Sequence, residues 1–397
     1  RKDRINSEIA SVSIYMDGDS IFHPGLILTY LDTRLDKDKL EKGDSVWMKA
    51  REITFTRDKE GLRQVPFFDT YHKLDMVFEE LKWNMDEPLI NFQMIGGPGS
   101  TSYAVFESAN YFSEARYEQI RGIDEMHPLQ ALKNYSKQID SRMFTVKDFA
   151  KYRVLQDEIV RAQIVDIAIR GFIMYDPATD KVLVKDKVFE YIAAKAGKAD
   201  YDVLQFNSVI QAEPNATLSL LNWDLKMRGI SRVHLSDSQA VLIYPTDQEI
   251  IMKRNRDFLF SGRVHAGMFD YFGKNFSFEY DKFVLNLPII DSMTFKVKSR
   301  TPNDYGEFPL VRVKSVIEDL SGDILIDHPN NKSGRQPYTE YPIFNSKKFS
   351  FVYYDVNSEY PGAYPREDFF FRIDPFTLDS LNDFSTEGLE FAGYLAS

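Results

Sequence analysis

The groups in this chain that could do chemistry are six histidines and scattered acids and bases, with no cysteine among its 397 residues. Without thiols there is no disulfide, no thiol nucleophile and no thiolate metal site. His23, His72, His127, His234, His265 and His328 contain no pair four residues apart, so no zinc-protease spacing exists. Each reads first as an isolated core or surface histidine. Asp17-Gly-Asp19 and Asp176-Pro-Ala-Thr-Asp180 could offer oxygens to calcium, but both lack the closing glutamate of a calcium loop. They read as turns, which Asp and Gly favour. Gly96-Gly-Pro-Gly99 lacks the Lys-Ser/Thr that completes a phosphate loop and reads as a flexible connection. No catalytic residue, cofactor or metal ligand is assigned on these grounds.

Cleavage of polysaccharides needs two carboxylates, or a cationic base beside a metal, held on neighbouring strands. Asp237, Glu249 and Asp257 are available, with Lys253, Arg254 and Arg256 among them. The last three form the densest basic cluster of the C-terminal half and are a candidate interaction patch. Charges on outward strand positions are more often solvated than catalytic.

A third chemistry is nucleic-acid binding. Residues 128–198 read as helix, short helix, longer helix and hairpin, an order that resembles a winged helix. The segments are Pro128 to Ile139, Thr145 to Tyr152, Gln156 to Arg170 ended by Gly171, and a hairpin from Phe172 to Val184. A last helix covers Lys187 to Lys195. This block holds 13 Lys and Arg against 9 Asp and Glu, a net of +4. Yet the helix that would read bases opens on Asp157-Glu158, and two carboxylates there repel a duplex. Ile159, Ile164, Ile167 and Ala168 read as its core stripe. A packing or partner module is favoured, with no nucleic-acid partner.

The surrounding elements are β-patterned. The composition is 43% hydrophobic and 14% aromatic, with 31 Phe and 22 Tyr, which suits strands. The net charge of −11 opposes polyanions and anionic membranes, and no apolar run reaches the roughly 18 residues of a membrane span. Short strands are expected at Ser11–Met16, Leu26–Leu28, Ile53–Phe55, Leu74–Phe78 and Leu89–Phe92, with turns at Asp17-Gly18 and Asp58 to Gly61. The pattern turns helical at about Glu107, with a helix from there to Arg121. After Asp202, strands recur at roughly ten-residue intervals: Val203–Phe206, Ala216–Leu220, Leu225–Met227, Val233–Leu235 and Ala240–Tyr244. An apolar-x-Gly-x-apolar phrase returns at Gly262, Gly322 and Gly393.

That cadence, and the scarcity of Asn-Gly or Asp-Gly hairpin signals, point to a mainly β chain of parallel β-helix (β-solenoid) type with the helical block inserted. The alternative is an antiparallel β-sandwich. The expected domains are an N-terminal β segment at 1–106, the winged-helix-like insertion at 107–198 and a C-terminal solenoid segment at 199–397. Both ends read as cut from a longer chain.

Several phrases resemble very large, functionally uncharacterised proteins of Bacteroidota. They include Ser20-Ile-Phe-His-Pro-Gly-Leu26, Trp83-Asn-Met-Asp-Glu-Pro88, Gly171-Phe-Ile-Met-Tyr-Asp-Pro-Ala-Thr179 and Lys253-Arg-Asn-Arg-Asp-Phe258. The resemblance covers most of this chain as an inner segment of such a protein. It implies export to the cell envelope, in the periplasm or on the outer surface, and transfers no mechanism. Bacteroidota glycosylate exported proteins at Asp-Ser/Thr followed by a small or aliphatic residue or Met. Ser20, Ser45, Ser292 and Ser380 stand in that setting and are candidate O-glycosylation sites. About one such match is expected by chance. The resulting expectation is a non-enzymatic scaffold or interaction segment, with other envelope proteins or glycans as partners and no deep pocket of converging carboxylates or cations. A β-helical carbohydrate-active enzyme is the alternative, and nucleic-acid binding by the inserted block a third.

Overall fold

The computed structural model describes residues 11–16, 19–24, 45–49, 52–56, 65–84, 86–95, 103–121, 125–210, 213–298, 302, 305–306, 309–314, 317–354, 364–383 and 390–396. The turns expected at Asp17-Gly18 and Asp58 to Gly61, the strand at Leu26–Leu28 and the Gly96–Gly99 loop lie outside them. The chain divides into two compact units, 1–229 and 230–397.

The first unit opens with strands β1 (Ser11–Met16), β2 (Asp19–Pro24), β3 (Ser45–Lys49), β4 (Glu52–Thr56), β5 (Phe67–Asp69) and β6 (Leu74–Val77). Next come β7 (Glu80–Asn84), β8 (Leu89–Gln93) and β9 (Ala104–Ser108). Helices α1 (Glu114–Arg121) and α2 (Pro128–Gln138) follow, then β10 (Met143–Thr145), α3 (Val146–Arg153) and α4 (Asp157–Ile169). After them lie β11 (Ile173–Asp176), β12 (Lys181–Val184) and α5 (Asp186–Lys195). The unit ends with β13 (Gln205–Ser208), β14 (Ala216–Ser219) and β15 (Leu225–Met227).

Two antiparallel sheets result. One runs β1-β2-β5-β6-β9-β13, and the other carries β3-β4-β7-β8-β14-β15 in that order. Their apolar faces meet through Phe78, which stacks on Phe67 at 4.3 Å and lies 4.8 Å from Phe92. His72 adds a polar pin. Its Nδ1 lies 2.5 Å from Asp69 Oδ2 and its Nε2 2.8 Å from the Trp223 carbonyl, with both side chains fully buried. Both ring nitrogens face acceptor oxygens, so the ring ties β5 and the Trp223 turn together.

The helical block is inserted between two neighbouring strands, because β9 and β13 pair directly, Phe106 opposite Phe206. It has its own core, including Leu132, Phe149, Ile164, Phe172 and Tyr191, and its own small sheet in the order β10-β12-β11. Pro128 opens α2, and His127 caps it. Its Nδ1 accepts from Leu129 N while Nε2 donates to the Tyr117 carbonyl. Burial holds the ring below its usual pKa, consistent with that neutral tautomer. Thr145 caps α3 through Asp148 N, and Gly171, at φ +80°, ends α4.

Two helical expectations are corrected. Glu107 and Ser108 belong to β9, and α1 begins only at Glu114. Ala104, Phe106 and Ser108 are all fully buried, a period of two that follows from pairing with β6 and β13 on either side. On α4 the buried stripe is Val160, Ile164, Ile167 and Ala168, whereas Ile159 is 47% exposed.

The second unit begins with β16 (Val233–Ser236), β17 (Val241–Pro245), β18 (Ile250–Met252), β19 (Phe258–Ala266), β20 (Phe269–Glu279) and β21 (Val284–Lys298). It continues with β22 (Leu310–Lys314), β23 (Ile317–Glu318), β24 (Leu320–Leu325), β25 (Ile343–Ser346), β26 (Ser350–Tyr353), β27 (Phe370–Ile373), β28 (Thr377–Leu378) and β29 (Gly393–Ala396). A long antiparallel run, β18-β19-β20-β21-β24-β25-β28, buries Phe258, Tyr271, Phe276 and Phe278. A smaller sheet has the order β23-β26-β27-β29.

The parallel β-helix reading does not hold. The strands of both units pair antiparallel, the arrangement of the alternative reading. The scarcity of Asn-Gly and Asp-Gly misled because these hairpins turn on other residues. Lys73, Trp223, Ala240 and Phe283 take positive φ at the turns after β5, β14, β16 and β20. The glycine phrase has a different cause as well. A Cβ at Gly322 would stand 2.4 Å from the Asn345 carbonyl oxygen, and one at Gly393 would stand 2.1 Å from that of Arg372. These glycines mark close approach between paired strands, not rungs of a coil.

Candidate binding pocket

Strands β6, β9 and β13 lie side by side, and their register aligns three polar residues in one row. Asp75 is opposite Glu107, and Glu107 is opposite Gln205. Val77, Val105 and Asn207 form the next row on the same face. The other face carries Met76, Phe106 and Phe206, all fully buried. The polar face floors a cavity of about 310 Å³. Arg116 of α1, Lys187 of α5 and Arg170 after α4 enter its wall, and Tyr103 stands at its edge, 52% exposed.

The charges in this cavity hold one another. Arg116 grips Glu107 with a two-bonded fork, Nη1 to Oε1 and Nη2 to Oε2, each 2.7 Å. Lys187 donates to Asp75 Oδ2 and lies 3.4 Å from Glu107 Oε1. Gln205 donates to Glu107 Oε2 at 3.1 Å. Burial pushes the Glu107 carboxyl up, but the Lys187 and Arg116 charges outweigh it and leave its pKa below the ordinary value. Burial likewise opposes the Lys187 charge, and Asp75 and Glu107 reverse the sign, so its pKa is raised. Arg116 is raised too, against its own burial, by the fork to Glu107. The network binds α1 and α5 to the sheet.

The expectation that no pocket of converging carboxylates and cations exists therefore fails. None of Asp75, Glu107, Arg116 and Lys187 was singled out in the sequence. The available signal was a lone charge amid apolar neighbours: Leu74-Asp-Met76 and Val105-Phe-Glu107 in strands, and Lys187 beside Val188 on a helix. Such a charge is solvated or buried with a partner, and only the register distinguishes the two.

The residues that the sequence did single out are placed as follows. Arg256 is buried, with its guanidinium 3.6 Å above the Tyr280 ring, whereas Arg254 is exposed and Lys253 half-buried. They do not form one continuous outward patch. Asp257 Oδ1 accepts from Tyr280 N at 2.7 Å, and burial raises its pKa. Asp237 lies 2.8 Å from His234 Nδ1. Asp176 closes its own turn through Ala178 N and Thr179 Oγ1, and Asp180 pairs with Arg161. Among the candidate glycosylation sites, Ser20 and Ser45 lie in β2 and β3. Ser292 is half-buried in β21 opposite Phe272. Ser380 is half-buried after β28, its N–H donating to the Glu340 carbonyl. Among the described residues no group of three His, Asp or Glu side chains could hold a metal ion, and no helix is long and apolar enough to cross a membrane.

Comparison with protein-family models, with curated proteins and with solved structures gives no match.

Proposed function

We propose that this chain is a non-enzymatic structural or interaction segment of a large exported cell-envelope protein, with envelope proteins or glycans as its partners. The observation that carries the reading is the pairing of Glu107, whose two oxygens are held by Arg116 at 2.7 Å each with Lys187 3.4 Å away. A carboxyl that donates a proton near neutrality needs a raised pKa, and Lys187 and Arg116 move Glu107 the other way. A carboxylate so firmly paired is also a poor base. The pocket is thus built to hold charge rather than to move protons. Residues 128–198 serve as a winged-helix-like packing or partner module. The envelope location rests on the resemblance to the Bacteroidota proteins.

A carbohydrate-active enzyme is the second reading, and the pocket itself favours it. An assay of acidic polysaccharides for new reducing ends and unsaturated products separates the two. No turnover is expected; turnover that Glu107→Gln abolishes would overturn the proposal. The inserted module gives a further prediction. Asp157 and Glu158 open α4, where their carboxylates complement the positive end of the helix and repel phosphates. Titration of the whole chain with labelled duplex DNA at low salt, where the electrostatic contribution is largest, is expected to show no saturable binding.

A further inference from the structure

We infer that the pocket floored by β6, β9 and β13 binds one acidic sugar residue, a hexuronate, by its carboxylate and hydroxyls. The inference rests on the non-enzymatic reading and names the ligand class of that pocket.

Size comes first. A cavity of about 310 Å³ is at the small end of ligand sites, which span roughly 300–1,000 Å³. It suits a single ring rather than a chain segment.

Charge comes second. The lining carries three cations, Arg116, Arg170 and Lys187, against two carboxylates, Asp75 and Glu107. The balance among the lining residues is +1 in a chain of net charge −11, with Asp166 beside Arg170 just outside the lining. Arg170 is the least committed cation. Its Nε bonds Asp166 Oδ2 at 3.0 Å in an ion pair along the helix, and among the described residues its two terminal nitrogens make no hydrogen bond. A guanidinium edge of that kind is shaped for a carboxylate.

Third is the distribution of the remaining valences. Lys187 has three hydrogens and two oxygen partners, Asp75 Oδ2 and Glu107 Oε1. Asp75 accepts through Oδ2, while its Oδ1 takes no hydrogen bond among the described residues. Asn207 is exposed, and its amide reaches Gln205 only at 3.4 Å. A ligand must therefore bring acceptors, one negative charge and at least one hydroxyl donor for Asp75. Val77, Val105 and Ile169 with the Tyr103 ring supply apolar surface in the same cavity, matching the C–H face of a pyranose. A hexuronate combines these three features. Inorganic phosphate has the charge without the apolar face, and a neutral hexose has the face without the charge.

The test is calorimetric titration of the full chain with glucuronate, galacturonate, the methyl ester of glucuronate, and glucose. Saturable binding of a free uronate is expected. Esterification should weaken it by at least about tenfold, the scale of one lost charge-assisted hydrogen bond. Arg170→Met should do the same with the melting temperature unchanged, since Arg170 is peripheral to the ion-pair network. Asn207→Ala, at an exposed position, should weaken binding several-fold. No saturable binding by either uronate, equal binding of the ester or of glucose, or binding indifferent to Arg170→Met would each overturn the assignment and leave the interaction reading standing. Conversion of the bound sugar to a new product would instead overturn the non-enzymatic reading and leave the pocket assignment intact.

Discussion

Lys187→Met should destabilise residues 1–229 by about 3–5 kcal/mol, the cost of removing one partner from a buried ion pair. The side chains of Lys187, Asp75 and Glu107 are 10%, 6% and 8% exposed, so water in the cavity replaces the lost cation only in part. Asp75 would lose its hydrogen-bond donor and keep only the more distant Lys185 charge, and Glu107 would keep only Arg116 and Gln205. Tryptophan fluorescence is the appropriate readout, because all three tryptophans, Trp47, Trp83 and Trp223, lie in this unit. Adding Asp75→Asn should restore part of the loss by removing the uncompensated carboxylate. Arg142→Ala breaks an ion pair whose partners are 51% and 74% exposed and should cost at most about 1 kcal/mol. A Lys187→Met penalty no larger than that of Arg142→Ala would mean the network is solvated and the pocket loosely formed.

The same network fixes a pH profile. Glu107 has a depressed pKa in the folded chain, so its contribution is present above its ordinary value of 4.5 and is lost as pH falls through the lowered one. Lys187 has a raised pKa, so its contribution is present below 10.5 and is lost as pH rises through the raised value. Stability from these groups should therefore be greatest between the two limits. In Lys187→Met the alkaline loss should vanish. The acid loss should begin at higher pH, because burial then opposes the Glu107 charge with Arg116 as its remaining cation.

The inserted helices were legible because each carries its own local signal. Pro128 opens α2, Thr145 caps α3, Gly171 ends α4, and the apolar spacing between them has a helical period. Several strands were equally local: Ser11–Met16 and Leu225–Met227 are found with the bounds read from alternation. Strand partners were not legible, because pairing is a long-range property. The choice between parallel coils and antiparallel sheets rested on turn chemistry, and turns at Lys73, Trp223 and Phe283 carry no glycine signal. The pocket was hidden for the same reason. Asp75, Glu107 and Gln205 are 32 and 98 residues apart in sequence, and only the β6-β9-β13 register makes them neighbours. The sequence did expose the sensitive glycines of the second unit, with the wrong architecture attached to them.

Gly262→Ala tests the corrected meaning of that phrase. Gly262 stands in β19 at φ +150°, where a side chain is strained. A Cβ there would lie 2.2 Å from the Tyr244 carbonyl oxygen and 2.8 Å from Thr246 N. Both are backbone atoms of the neighbouring segment, so no rotamer change relieves the overlap. The β19–β20 register also shifts between Phe260 and Gly262, placing Gly262 opposite Gly273 at a bulge flanked by well-paired strand. The substitution combines overpacking, about 1–3 kcal/mol, with backbone strain, about 1–3 kcal/mol. A loss of about 3–5 kcal/mol is expected, read as a lowered far-ultraviolet circular dichroism midpoint. Ser261→Ala, one residue away at a half-buried position, should cost less than about 1 kcal/mol. A solenoid rung would give a different result. Its glycine would tolerate alanine wherever the coil turn has room, and Gly262→Ala would then melt with the parent chain. Tolerance of that substitution would argue against the close β17–β19 approach and the antiparallel sheet built on it.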